Sequence, residues 1–250
     1  MRPAGLPGSR ALGFPAKRSL ARADDATTPT IEAMALVYDA VLRPSKSDLV
    51  AAWAPAQAWF VGDTAAEVEG VASFRFDDPA GEVGVETLLV RFGTGPVLQI
   101  PLTYRSAPLE GGENGLVGTM THSVLGDRWI YDATGDPIYL AVVATIALKG
   151  GHEADQFEQR DGDLLPVAST AAVRGNGIPG TPVPELASTI ETISTAGTTI
   201  STAGALRVTV VRVLDGTSTA ASSEDTATVT STWPQQSTPQ LLATVTVLPS

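Results

Sequence analysis

The stretch Val97-Leu-Gln-Ile-Pro-Leu-Thr-Tyr-Arg105 decides the fold of this chain. Its large apolar side chains fall on every second position and polar side chains fall on most of the others: Leu98, Ile100, Leu102 and Tyr104 against Gln99, Thr103 and Arg105. A period of two residues predicts a β-strand with one face on a core. Because proline cannot donate to a strand ladder, Pro101 predicts an edge position or a bulge.

Similar strand patterns lie on both sides of this segment. They predict strands at 36–42, 70–77, 83–92, 116–125, 128–132, 206–214, 227–233 and 241–248. A short helix should begin at the capping-box-like Ser45-Lys-Ser-Asp48, and a more apolar helix should run from Asp136-Pro137 to Gly150. We therefore expect the α+β class, with a mostly antiparallel sheet and two helices.

Two parts of the chain lack this pattern. Residues 1–33 carry basic residues with no acid before Asp24, and they hold no apolar run long enough for a signal peptide. We expect a disordered tail or an over-long start before a true start at Met34, with a transit-type segment as the alternative. Residues 161–204 repeat Ser-Thr-Ala-Gly at 194–197 and 201–204, and predict a low-complexity insertion in a single domain over 34–250.

Composition excludes several classes of function. The formal net charge of −11 argues against nucleic acid, whose phosphates need Lys and Arg, and against anionic membranes. The longest apolar helical stretch, 138–148, is too short to span a bilayer. The chain has no cysteine, which removes disulfides and thiolate zinc sites and favours a cytoplasmic location.

No motif in the chain predicts a catalytic, metal or cofactor site. His122 and His152 are far apart in sequence, and phosphate-binding loops and nucleophile elbows are absent. Aromatic rings beside arginines are typical of sugar or protein interfaces. The candidate binding residues are Tyr104, Arg105, Glu113, His122, Arg128, Trp129 and Tyr131.

A competing interpretation makes some of these residues structural. Tyr104 and one of Trp129 and Tyr131 would then belong to the core. Within it we expect Trp129 to be buried, because it shares a strand face with Tyr131, and we expect Arg105 and Arg128 to lie on the surface.

Three stretches together resemble the N-terminal cap domain of actinobacterial maltokinases over residues 36–150, with a weaker similarity at 205–248. They are Leu42-Arg-Pro-Ser-Lys-Ser-Asp-Leu-Val-Ala-Ala-Trp53, Phe74-Arg-Phe-Asp-Asp-Pro-Ala-Gly-Glu-Val-Gly84 and the run 101–132. The resemblance implies a cystatin-like curved sheet, which in maltokinases lies over the nucleotide-binding lobe. It also implies a link to glycogen and trehalose metabolism. The His-Gly-Asp and later Asn of such a kinase have no counterpart here, so kinase activity is not implied.

Two functions therefore remain open. The first is a non-catalytic cap-like module, similar to stand-alone caps without a kinase, that binds a partner protein such as a kinase or an α-glucan or trehalose enzyme. The second is a small-molecule or sugar binder, or an uncharacterised enzyme, with a cleft near Arg105, His122 and Arg128. Either could form a homo-oligomer.

Overall fold

A computed structural model describes residues 11–13, 35–38, 40–160, 163–216 and 226–249. These residues form an α+β fold with two α-helices, α1 (Lys46–Trp53) and α2 (Pro137–Lys149). The strands are β1 (Ala11–Gly13), β2 (Ala35–Tyr38), β3 (Leu42–Arg43), β4 (Val68–Phe76), β5 (Gly84–Phe92), β6 (Val97–Arg105), β7 (Leu116–His122), β8 (Gly126–Asp132), β9 (Gln156–Arg160), β10 (Asp163–Val167), β11 (Ala172–Gly175), β12 (Glu191–Thr195), β13 (Thr198–Ala203), β14 (Leu206–Val211), β15 (Val213–Leu214), β16 (Thr226–Trp233) and β17 (Gln236–Val247).

The strands form three sheets. A seven-stranded sheet has the order β3-β7-β8-β6-β5-β4, with β15 also paired to β6. A six-stranded sheet has the order β11-β16-β17-β14-β13-β12, and a small sheet has the order β1-β2-β9-β10. Every pairing in the described residues is antiparallel except that of β2 with β9. The expected mostly antiparallel architecture with two helices is confirmed.

Both faces of the seven-stranded sheet are covered. One face packs on α1, where Val50 joins Leu98, Ile100 and Ile130 in one apolar cluster. The other face contributes Phe74 and further residues to a larger cluster that it shares with α2 and the six-stranded sheet. Strand β6 is consequently buried at every position except Arg105, so its polar residues also need partners inside the protein.

Pro101 lies in a central strand, so the expected edge position and bulge are both wrong. Strand β6 pairs with β5 from Val97 to Tyr104, while its other edge pairs with β15 at Val97–Leu98 and with β8 at Leu102–Arg105. On that second edge, the backbone amide of Gln99 donates to Arg212 O. Position 101 faces the same edge, because alternate amides point the same way. The missing donor therefore falls in the gap between two partner strands.

Both helices begin where their sequences predict, and α2 also ends where its sequence predicts. Ser45 and Asp48 form a reciprocal capping box at α1, and Asp136 caps α2 ahead of Pro137. Helix α2 ends at Gly150, whose φ of 71° lies in the left-handed region. The irregular residues after β11 cover this end of α2: the amides of Gly177 and Ile178 donate to its last carbonyls. A Cβ at Gly177 would overlap the Leu148 carbonyl, so only glycine fits there.

The segment 161–204, expected to be an insertion, contributes β11, β12 and β13 to the six-stranded sheet. Within the expected N-terminal extension 1–33, only Ala11–Gly13 is described, and it pairs with β2; the remainder of that segment lies outside the described residues. Neither α-helix found in the described ranges is long and apolar enough to cross a bilayer.

Candidate functional site

The candidate residues lie on opposite faces of the seven-stranded sheet. Side chains alternate along a strand, so the neighbours Tyr104 and Arg105 point to opposite faces. Tyr104, His122 and Arg128 line one small space on the α1 side, whereas Arg105 pairs across the strands with Trp129 on the α2 side. Arg105 therefore does not share a cleft with His122 and Arg128, although the sequence predicts one.

On the α1 side, Tyr104 is held by a buried carboxylate. Its hydroxyl donates to Glu86 Oε2 over 2.8 Å, and Lys46 Nζ approaches both oxygens of Glu86 at 2.6 and 2.9 Å. The Lys46 ammonium also lies 5.6 Å from the centre of the tyrosine ring. Burial, and next the charge of Glu86, raise the pKa of Tyr104 well above its ordinary value. The phenol is therefore neutral and acts as a structural donor.

His122 and Arg128 are also engaged in local contacts. His122 is buried, and its Nδ1 accepts from the amides of Val124 and Leu125 at 3.2 and 3.1 Å. Arg128 is half-buried and donates to Asp127 O at 2.7 Å, while burial lowers its pKa. The cavity between these side chains measures about 10 Å³, which is too small for a ligand larger than water.

On the α2 side, Arg105 forms a two-bond ion pair with Asp136. Nε donates to Oδ2 and Nη2 donates to Oδ1, both over 2.7 Å. Asp136 is fully buried and also accepts from Thr103 Oγ1 at 2.8 Å and from the Ile138 amide at 2.9 Å. Hydrogen bonding to Asp136 raises the pKa of Arg105. Arg105 is thus not the surface residue that its strand position predicts, because the start of α2 covers that face.

The remaining candidates have mixed roles. Trp129 is half-buried, so its expected burial is wrong, and its strand neighbour Ile130 is the fully buried residue. Tyr131 is buried, and its hydroxyl accepts from the Leu109 amide at 2.9 Å, which fixes the following loop. Glu113 is exposed in the short turn Glu113–Gly115.

The sequence interpretation missed Arg212, which joins the two large sheets. Arg212 is fully buried, and its Nη2 donates to both oxygens of Asp132 at 2.8 and 2.6 Å. Its Nε donates to Thr199 Oγ1 at 2.8 Å, and its guanidinium lies 4.8 Å from the centre of the Trp59 ring. The signal in the sequence is a lone arginine inside the apolar run Val208–Leu214, because such a charge is buried only with a partner.

A separate cavity of about 430 Å³ lies beside the half-exposed face of α2. Its walls are apolar on the helix side, with Asp77, His152, Glu153 and Asp155 opposite. Burial raises the pKa of Asp77 to about 6; Arg75 opposes this shift and Asp155 adds to it. Within the ranges that the structure describes, no three metal-ligating side chains converge, here or elsewhere.

Residues 53–136 match the family model of the maltokinase N-terminal cap domain. The match confirms the resemblance over this range. The matched cap segment runs from the end of α1 to the N-cap of α2, and it contains all seven candidate residues. The six-stranded sheet, the whole of α2 and Arg212 lie outside it. No curated protein matches the chain.

Proposed function

We propose that this chain is a non-catalytic module, similar to the maltokinase cap, that binds a protein partner in glycogen or trehalose metabolism. The match of residues 53–136 to the cap-domain model supports the metabolic link. The proposal includes a cytoplasmic location, which the absence of cysteine favours, and a cystatin-like curvature of the seven-stranded sheet.

One observation carries the non-catalytic part. Three of the polar side chains that the sequence offers for chemistry hold the fold together: Arg105 binds the buried Asp136, Tyr104 binds Glu86, and His122 binds backbone amides. A catalytic acid, base or nucleophile needs a free atom within reach of a substrate. Side chains that serve structural contacts on opposite faces of one sheet suit a scaffold better than an active site.

An exposed apolar pair marks where we expect the partner to dock. Val41 and Val124 are 59% and 55% exposed. They are brought together at the edge of the seven-stranded sheet, where the Val41 amide donates to Ser123 Oγ and the Ser123 amide donates to Val41 O. Burial of such a surface under a partner is expected to stabilise the complex.

Isothermal titration calorimetry of the purified chain against three purified proteins tests the partner class. The three are a maltokinase catalytic domain without its own cap, a trehalose synthase and a glycogen-branching enzyme. We expect one of them to bind with a dissociation constant below about 10 µM. Val41→Ser combined with Val124→Ser should weaken that binding at least tenfold. Val61→Ser, at another exposed valine, should not. Absence of binding to all three contradicts the proposed partner class.

A coupled assay of ATP-dependent phosphorylation tests the non-catalytic part. With maltose or glucosamine as acceptor, we expect turnover no higher than that of a mock purification. Turnover well above that level contradicts the proposal. It must belong to this chain and not to a contaminant, which is shown when a variant of the chain loses it.

A further inference from the structure

We propose that a groove between the cap segment and the six-stranded sheet binds a neutral pyranoside ring. The groove measures about 320 Å³, at the lower end of the range for small-molecule sites and sufficient for about one or two such rings. Its cap side is formed by the end of α1, the loop 109–115 and the end of β8, and its other side by β12. The residues that argue for a ligand are Trp53, Gln57, Asn114, Tyr131, Asp132 and Thr192.

The groove offers aromatic surface. Trp53 is half-buried, with its ring centre 5.6 Å from that of Trp59, so the second indole supports it from behind. Tyr131 also lines the groove, but it is buried and fixed through the bond that its hydroxyl accepts from the Leu109 amide, so Trp53 supplies the accessible aromatic face. Aromatic faces bind flat apolar surfaces, and the C–H face of a pyranose ring is such a surface.

Asp132 provides a fixed acceptor on the groove wall. Its Oδ1 accepts from Arg212 Nη2 and from the amide and hydroxyl of Thr134. Among the residues that the structure describes, its Oδ2 accepts one hydrogen bond, from Arg212, which leaves capacity for a ligand hydroxyl. Because the buried Arg212 neutralises this carboxylate from behind, the groove accepts a hydroxyl without carrying an uncompensated negative charge.

The remaining polar groups are uncharged. The side-chain nitrogen of Gln57 donates to Trp53 O over 3.3 Å, and its side-chain oxygen can accept from a ligand. Asn114 and Thr192 are exposed and bring an amide and a hydroxyl to the two sides of the groove. None of the described lining residues is a lysine or arginine. A phosphate or carboxylate would lack a counter-charge here, whereas neutral hydroxyls match amides, hydroxyls and one neutralised carboxylate.

Titration of the full chain with methyl α-D-glucopyranoside, maltose and glucose 6-phosphate tests this inference. The readouts are calorimetry and tryptophan fluorescence. We expect saturable binding of a neutral sugar with a dissociation constant below about 10 mM, and at least tenfold weaker binding of the phosphorylated sugar. We expect Trp53→Phe to remove the fluorescence change. Absence of saturable binding by the neutral sugars, or tighter binding of the phosphate, overturns the inference.

A pair of neighbouring residues supplies the matched control. Asn114 lines the groove, and the adjacent Glu113 does not, although both are exposed. Asn114→Ala should weaken sugar binding about five- to tenfold with an unchanged melting temperature, and Glu113→Ala should leave binding unchanged. Equal effects of the two variants place the sugar elsewhere and overturn the inference. This site goes beyond the partner binding proposed above, and either can fail without the other.

Discussion

The seven-stranded sheet is covered on both faces, whereas the six-stranded sheet leaves one face partly open. In the first, β6 is buried from Val97 to Tyr104. In the second, β16 alternates between buried and half-buried positions over its whole length. A sheet with two covered faces must partner every polar side chain inside the protein, while a sheet with one open face can leave polar side chains to water.

The polar residues of the two sheets differ accordingly. In the seven-stranded sheet, Gln99 donates to two backbone carbonyls of the other sheet, at 2.8 and 2.9 Å, and Thr103 donates to Asp136. In the six-stranded sheet, Thr209, Thr228 and Thr244 are paired across neighbouring strands and are only half-buried. The same residue type is therefore structural on a covered face and part of the solvated face where a sheet is open.

The largest expected effect comes from Arg212, which joins the two sheets. Arg212→Ala leaves Asp132 without its buried counter-charge and should cost about 3–5 kcal/mol of unfolding free energy. Urea denaturation measures the loss. Arg212→Met combined with Asp132→Leu should recover part of it, since an apolar pair can replace a buried ion pair. A midpoint unchanged by Arg212→Ala would show that the sheets do not depend on this pair.

The second effect separates two neighbours on β8. Ile130 is fully buried under α1, and Trp129 is half-buried on the opposite face. Ile130→Ala should cost about 3 kcal/mol, through lost burial and a cavity, and Trp129→Ala should cost less. Denaturant melts of both variants decide the order. A larger loss for Trp129→Ala would make the α2 side the more tightly packed face of the strand.

The third prediction compares two threonines directly. Thr103→Val removes a donor from the buried Asp136 and should cost about 1–3 kcal/mol. Thr209→Val makes the same change on the open face and should change stability by about 0.5 kcal/mol or less. Thermal unfolding of the two variants provides the measurement. Equal losses would mean that the open face of the six-stranded sheet is covered in solution.

The smallest effect is a pH dependence at Asp77. Burial raises its folded pKa to about 6 from an ordinary value of 3.8. The folded state therefore binds the proton more tightly, and this contribution to stability is present below pH 4 and lost as the pH rises through 6. Because Asp77 is partly exposed, we expect Asp77→Asn to stabilise the protein by only about 1 kcal/mol at pH 7.5, with a smaller gain at pH 5. An equal gain at both pH values would contradict this titration.

Local sequence signals predicted the elements of this fold well. The alternation of 97–105, the box at Ser45 and the Asp136-Pro137 start all lie in the elements that they indicated. What covers each face could not be predicted, because periodicity says which residues share a face and not what packs there. The alternation therefore placed Arg105 on the surface, whereas the start of α2 covers that face and Asp136 pairs with the arginine. The contact of Asp132 with Arg212 joins residues 80 positions apart, and pairwise contacts over such distances leave no local pattern.

The second edge of β6 has a consequence for how the protein folds. Strand β15 completes that edge beside Val97 and Leu98, although it lies beyond the matched residues 53–136. The loop that this pairing closes runs from Leu98 to Val213, so the pairing raises the contact order, and we expect it to form late in folding. If the cap segment were excised, β6 would keep an open apolar edge and Asp132 would lose its arginine. We therefore expect that residues 53–136 do not fold autonomously when separated from the rest of this chain.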